Sequence, residues 1–130
     1  MKVILDTNFL MVPFQFKVDI LSELDRLLEA GYEAVIPDKV LRELKTLSQK
    51  GSLKVRKAAK VALQLAEGMK KVSVEAEDPD SAILAITEKG TVVCTNDREL
   101  RRRVLEKGGR VVFLRQRRTL ALEGGDVAVS

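Results

Sequence analysis

A chain of 130 residues, 45% hydrophobic and 32% charged with both signs interspersed, suits one folded domain with its own core and excludes a disordered polyelectrolyte. Histidine is absent, which excludes Ser-His-Asp and Cys-His catalysis and His-ligated zinc. The single cysteine, Cys94, excludes an internal disulfide. The formal net charge is +4.

The elements alternate along the chain. A strand is predicted over residues 2–5, then a helix over 18–30 in VDILSELDRLLEAG, closed by Gly31. A strand at 33–36 follows, and Pro37-Asp38 starts a helix that runs to about residue 50. After Gly51 a long helix spans 53–67 and stops at Gly68. A short strand at 72–74 precedes a helix over 80–89, with Asp78 as its cap and Pro79 at its first turn. A strand at 91–94, a helix at 97–107 and a last strand at 111–114 complete the pattern. Continuous apolar strands between helices indicate an α/β fold, with a parallel sheet covered on both faces. Residues 119–130 read as a loosely held tail.

No leader is expected before the first strand, and no apolar run approaches the roughly 18 residues of a membrane span. With Cys94 in the apolar run TVVC, a reduced, buried thiol in a cytoplasmic protein without a membrane partner is expected. The positive charge is uneven. From Arg98 to Arg118 there are nine Lys/Arg against two Glu, on an otherwise acidic body. Such a basic stretch points to a polyanionic partner. With aromatics at 4%, no base-stacking platform is expected.

Ligands of open α/β sheets bind beyond the carboxyl ends of the strands. Asp6 stands just past the first strand and Asp97 just past the strand 91–94. If those strands are neighbours, the two carboxylates meet. Glu43 lies on the edge of the apolar stripe Val40, Leu41, Leu44 and Leu47. In EDPDSAIL, Asp78 is explained as a cap, which leaves Asp80 without a structural task. Taken singly, each acid has an ordinary explanation as a cap, a dipole partner or a boundary residue. Four carboxylates drawn together would repel and raise one another's pKa values unless a cation joined them. An all-oxygen set suits Mg²⁺ or Mn²⁺.

Asp6-Thr7-Asn8, Glu43, Asp80-Ser81-Ala82-Ile83-Leu84-Ala85 and Thr95-Asn96-Asp97 resemble, in order and spacing, the four motifs of PIN-domain nucleases. The resemblance spans residues 1–118. It implies a three-layer α/β/α domain on a parallel five-stranded sheet ordered 3-2-1-4-5, with the first and fourth strands adjacent. It implies that Asp6, Glu43, Asp80 and Asp97 are the catalytic, metal-binding acids, and that Mg²⁺ or Mn²⁺ supports hydrolysis of RNA. Thr7 or Asn8, and Thr95 or Asn96, match positions that orient acids or water. The tail TNDRELRRRV…VVFLRQRRTLALEG is most similar to archaeal relatives of the ribosomal-RNA-processing PIN nucleases, and next to VapC toxins.

Arg98 and Arg102 are placed on the solvent side of their helix, and Arg115, Arg117 and Arg118 follow the last strand. All five are candidate RNA contacts. Two ion pairs within that helix, Arg102 with Glu106 and Glu99 with Arg103, are the structural alternative. The rival readings are a non-catalytic RNA-binding module of the same fold, a toxin ribonuclease with an antitoxin partner, and a DxDxT phosphatase. The last needs an Asp where Asn8 stands. A homodimer is compatible with each of the nuclease readings.

Overall fold

The computed structural model describes residues 1–28 and 31–124. Its centre is a sheet of six strands: β1 (Lys2–Leu5), β2 (Glu33–Pro37), β3 (Lys70–Val72), β4 (Val92–Cys94), β5 (Arg110–Arg115) and β6 (Thr119–Gly124). Their order is β3-β2-β1-β4-β5-β6. The first five are parallel and β6 runs antiparallel to β5. β1 is therefore central, and Val3, Ile4 and Leu5 are fully buried in it.

The parallel strands must be covered by helices. These are α1 (Thr7–Leu10), α2 (Val12–Phe16), α3 (Ile20–Leu27), α4 (Asp38–Lys50), α5 (Leu53–Ala66), α6 (Pro79–Ala85) and α7 (Arg98–Glu106). Val40 and Leu44 on α4, four alanines on α5, and Leu100 and Val104 on α7 are buried against the sheet and one another. The core is thus aliphatic, with Phe9 as its one fully buried aromatic among the described residues.

Several elements differ from the sequence-based expectation. The sheet has a sixth strand. Residues 119–124, expected in a loose tail, pair with β5 from Thr119 opposite Arg115 to Gly124 opposite Arg110. Burial of Leu120 holds this strand to the core, and residues 125–130 lie outside the described residues. Residues 7–16 carry two short helices where only apolar chain was expected. The helix expected over 18–30 is Ile20–Leu27, started by Asp19, whose carboxylate accepts from the Ser22 amide; residues 29 and 30 lie outside the described residues.

β3 sits two residues earlier than 72–74. The Val74 amide leaves the ladder and donates instead to the Asp38 carboxylate at 3.2 Å. α6 ends at Ala85 rather than Lys89. Just beyond it, the Thr87 hydroxyl donates to the Ile83 carbonyl at 2.7 Å, and Gly90 turns at φ +84. Exposed aromatics do occur: Phe14 and Phe16 are 40% and 36% accessible beside Leu53, and together they line a cleft with Lys54 and Lys57.

Candidate active site

β1 and β4 are direct neighbours, with Leu5 opposite Cys94. Both chains leave the sheet at the same edge. There Asp6 caps α1, its Oδ1 accepting from the Phe9 amide at 2.7 Å. Asp97 caps α7 in the same way, accepting from the Leu100 amide at 2.8 Å. Asp78 caps α6, accepting from the Ser81 amide at 2.7 Å, and this sets Asp80 in the first turn. Three helices thus begin around one point, each with an acid at its start, where the helix dipole favours negative charge. Glu43 reaches the same point from α4. Asp6, Glu43, Asp80 and Asp97 all line one cavity of about 380 Å³.

The four acids are not equivalent. Asp6 is buried, while Glu43, Asp80 and Asp97 are open to solvent. Burial pushes the Asp6 carboxyl up from 3.8 to about 6, against the lowering effect of bonds from the Thr95 hydroxyl and the Phe9 amide. The charges of Asp80 and Asp97 raise it further. Asp80 is raised too, by partial burial first and then by Asp97, Asp78 and Glu43, with Arg103 opposing. These acids therefore feel one another's fields.

Among the described residues no three carboxylates already stand as a closed cage for a bare ion. Mutual repulsion keeps such groups apart when nothing positive lies between them. The donor set is all oxygen, which suits a hard cation that keeps part of its water shell. The Thr7 hydroxyl oxygen is buried on the cavity wall and, among the described residues, has no hydrogen-bond partner. A buried orphan of this kind calls for an occupant with polar atoms. The residues present thus fit a hydrated divalent cation.

The four polar neighbours are placed differently from one another. Thr7 and Asn8 line the cavity. Thr95 lies behind it, fully buried. Its hydroxyl favours the ionised form of Asp6 and accepts from the Asp97 amide at 3.0 Å. Asn96 is turned the other way: its side-chain oxygen accepts from the Leu114 amide at 2.7 Å and joins the loop to β5.

The arginines divide as well. Arg102 bonds Glu99 and Glu106 at 2.5 Å each. Glu99 therefore pairs three residues on with Arg102, not four residues on with Arg103. Arg98 is exposed and stands outside the cavity lining. Arg115, Arg117 and Arg118 are exposed at the tip of the β5–β6 hairpin.

Four cavity residues were not singled out for the site from sequence: Asp78, Pro79, Ser81 and Arg103. Outside the cavity lining, Asp38 supports the site. Its carboxylate accepts from the Val74 amide and the Ser73 hydroxyl, which pins the start of the loop that carries Asp78 and Asp80. A second basic region also escaped notice. Between Asp38 and Lys60 there are eight Lys/Arg against Asp38 and Glu43 alone.

The comparisons agree with this architecture. Residues 3–117 match the family described as a PIN like domain. Ribonuclease VapC4 of Methanocaldococcus jannaschii is 33% identical over 127 residues, covering 95% of this chain and 97% of that protein. Ribonuclease VapC9 of Archaeoglobus fulgidus is 33% identical over 121 residues, covering 92% and 87%. Among solved structures, the PIN domain endonuclease Utp24 superposes with a TM-score of 0.77 at 26% identity, over 95% of this chain and 91% of that one. A domain of a functionally unknown Methanocaldococcus jannaschii protein shares the fold, with a TM-score of 0.55 at 18% identity over 88% and 91%. With its four acids gathered where adjacent parallel strands end, and with these matches along nearly its whole length, the chain belongs to the PIN-like domain family.

Proposed function

We propose that this protein is a ribonuclease that hydrolyses RNA phosphodiester bonds with Mg²⁺ or Mn²⁺, held by Asp6, Glu43, Asp80 and Asp97. The observation that carries the reading is the convergence of those four acids on one cavity, around a buried Asp6 whose carboxyl is pushed up to about 6. The ribonuclease names of the two relatives, each matched along most of its length, support it.

A bound divalent cation supplies positive charge for the scissile phosphate and for an attacking water. Asp6, Glu43, Asp80 and Asp97 hold that charge in place. The Phe9 amide fixes the Asp6 carboxylate, and the Thr95 hydroxyl favours its ionised form. Thr7 and Asn8 face the cavity and orient water. In the reaction the water oxygen bonds to phosphorus as the bond to the 3′ oxygen breaks, leaving a 5′-phosphate and a 3′-hydroxyl. No side-chain nucleophile is needed, consistent with a chain that has no histidine.

Ribosomal-RNA processing is the cellular role we assign to the site. The VapC names of the matched relatives favour a second reading, a toxin ribonuclease held in check by an antitoxin. A cytoplasmic location and a homodimer are compatible with both. The direct test is incubation of labelled RNA with the protein, with and without Mn²⁺, beside Asp6→Asn. Metal-dependent cleavage that Asp6→Asn abolishes supports the proposal. RNA binding without cleavage in any divalent metal would instead identify a non-catalytic RNA-binding module.

A further inference from the structure

We infer that Arg103 is the residue of α7 that grips the substrate phosphate beside the acid cluster; this rests on the ribonuclease reading above. α7 carries four arginines, and their surroundings separate them. The Arg101 guanidinium lies 4.0 Å above the Phe113 ring and bonds Glu123. Arg102 is held between Glu99 and Glu106. Arg98 is exposed and is not part of the cavity lining. Arg103 alone of the four lines the cavity.

Among the described residues Arg103 forms no ion pair within 4 Å: Asp78 is committed to the Ser81 amide and Glu99 to Arg102. An exposed guanidinium at the mouth of an anionic cavity, bonded to none of its acids, keeps its planar donor fork free. That fork matches two oxygens of a phosphodiester. An acid cluster repels RNA, and Arg103 supplies positive charge within the same cavity. A donor aimed at phosphate oxygens also stabilises the charge that develops there during hydrolysis.

The test uses the full chain with Arg103→Ala, Arg103→Lys and, as a like charge loss outside the cavity, Lys89→Ala, an exposed residue before β4 at the opposite end of that strand from Asp97. Single-turnover cleavage of a short RNA with Mn²⁺ should fall on the order of 100-fold in Arg103→Ala, recover in part in Arg103→Lys, and hold in Lys89→Ala. The preference between the two phosphorothioate diastereomers at the scissile bond should shrink in Arg103→Ala, since a purely structural loss would slow both alike. In the Asp97→Asn background without metal, Arg103→Ala should weaken RNA binding. Unchanged cleavage in Arg103→Ala overturns the inference. So does full recovery of its rate by adding Asp78→Asn, which would show that Arg103 acts only by offsetting that carboxylate. If the wild-type chain cleaves nothing, the nuclease reading fails, and the binding measurement alone then upholds or overturns the Arg103 contact.

Discussion

The Asp6 amide donates to the Cys94 carbonyl at 3.1 Å, so the ladder between β1 and β4 runs one residue beyond the strands and fixes the Asp6 backbone beside the chain that leads to Asp97. Asp6 cannot swing out to water and is held where its charge is costly. At about 1.4 kcal/mol per pH unit, keeping this carboxylate ionised costs the metal-free fold on the order of 3 kcal/mol. Asp6→Asn keeps the cap, since the amide oxygen can accept the Phe9 N–H. It should therefore raise the metal-free melting temperature at pH 7.5 while removing the stabilisation by Mn²⁺. A lower melting temperature would mean that Asp6 acts as a turn residue first.

The same group sets a pH dependence. The Asp6 carboxyl is higher in the fold than in the unfolded chain, so its proton stabilises the fold. That contribution is complete below about 3.8 and is lost as pH rises through about 6. A divalent cation reverses the balance, because it favours the ionised form. Cation at 100 times its dissociation constant adds roughly 2.7 kcal/mol. The rise in melting temperature with Mn²⁺ should be larger at pH 7.5 than at pH 5, and Asp6→Asn should flatten this difference. Equal shifts at both values would remove Asp6 from the cation site.

The corner between α7 and β5 is tightly packed. A Cβ added at Gly109 would stand 2.7 Å from Val104 Cγ1 and 3.1 Å from Thr87 Cγ2, where α7 turns into β5. At Gly68 nothing lies within 4 Å. Gly109→Ala should destabilise the fold by roughly 1–3 kcal/mol in urea unfolding, as overpacked cores do, while Gly68→Ala should not. Equal stability of the two variants would mean that the α7–β5 corner yields easily.

These particulars show what local sequence can carry. The spacing of Asp6, Glu43, Asp80 and Asp97 against apolar strands was readable, because strand ends and caps are local features. β1 next to β4 followed from the family resemblance. α1 and α2 were not readable: at four and five residues they are too short for a helical period. β6 had a legible signal in the alternation of Leu120 and Leu122, but its position after the last expected strand read as a loose tail. Arg103 was hidden for a different reason. Spacing allows Glu99 to pair with either Arg102 or Arg103, and only the fold shows which of them it takes.

The hairpin tip separates binding from chemistry. The Arg118 amide donates to the Arg115 carbonyl at 3.1 Å, with Gln116 and Arg117 at φ 54 and 57. Two successive left-handed residues match the twist of a tight hairpin, and here neither is glycine, so the turn carries backbone strain while it presents exposed arginines. Behind the tip, Arg101 joins α7 to β6 through Glu123 and covers Phe113, which anchors the hairpin to the helix that starts at Asp97. The triple variant Arg115→Ala, Arg117→Ala, Arg118→Ala should weaken RNA binding at every sequence tested. Each lost phosphate contact should flatten the slope of log K against log salt by about 0.7 for a single strand. Cleavage at saturating RNA should hold, in contrast to Arg103→Ala. Unchanged affinity and slope would move the RNA path off this tip and toward the lysines of α4 and α5, and replacing Lys50, Lys54 and Lys57 would then carry the salt dependence instead.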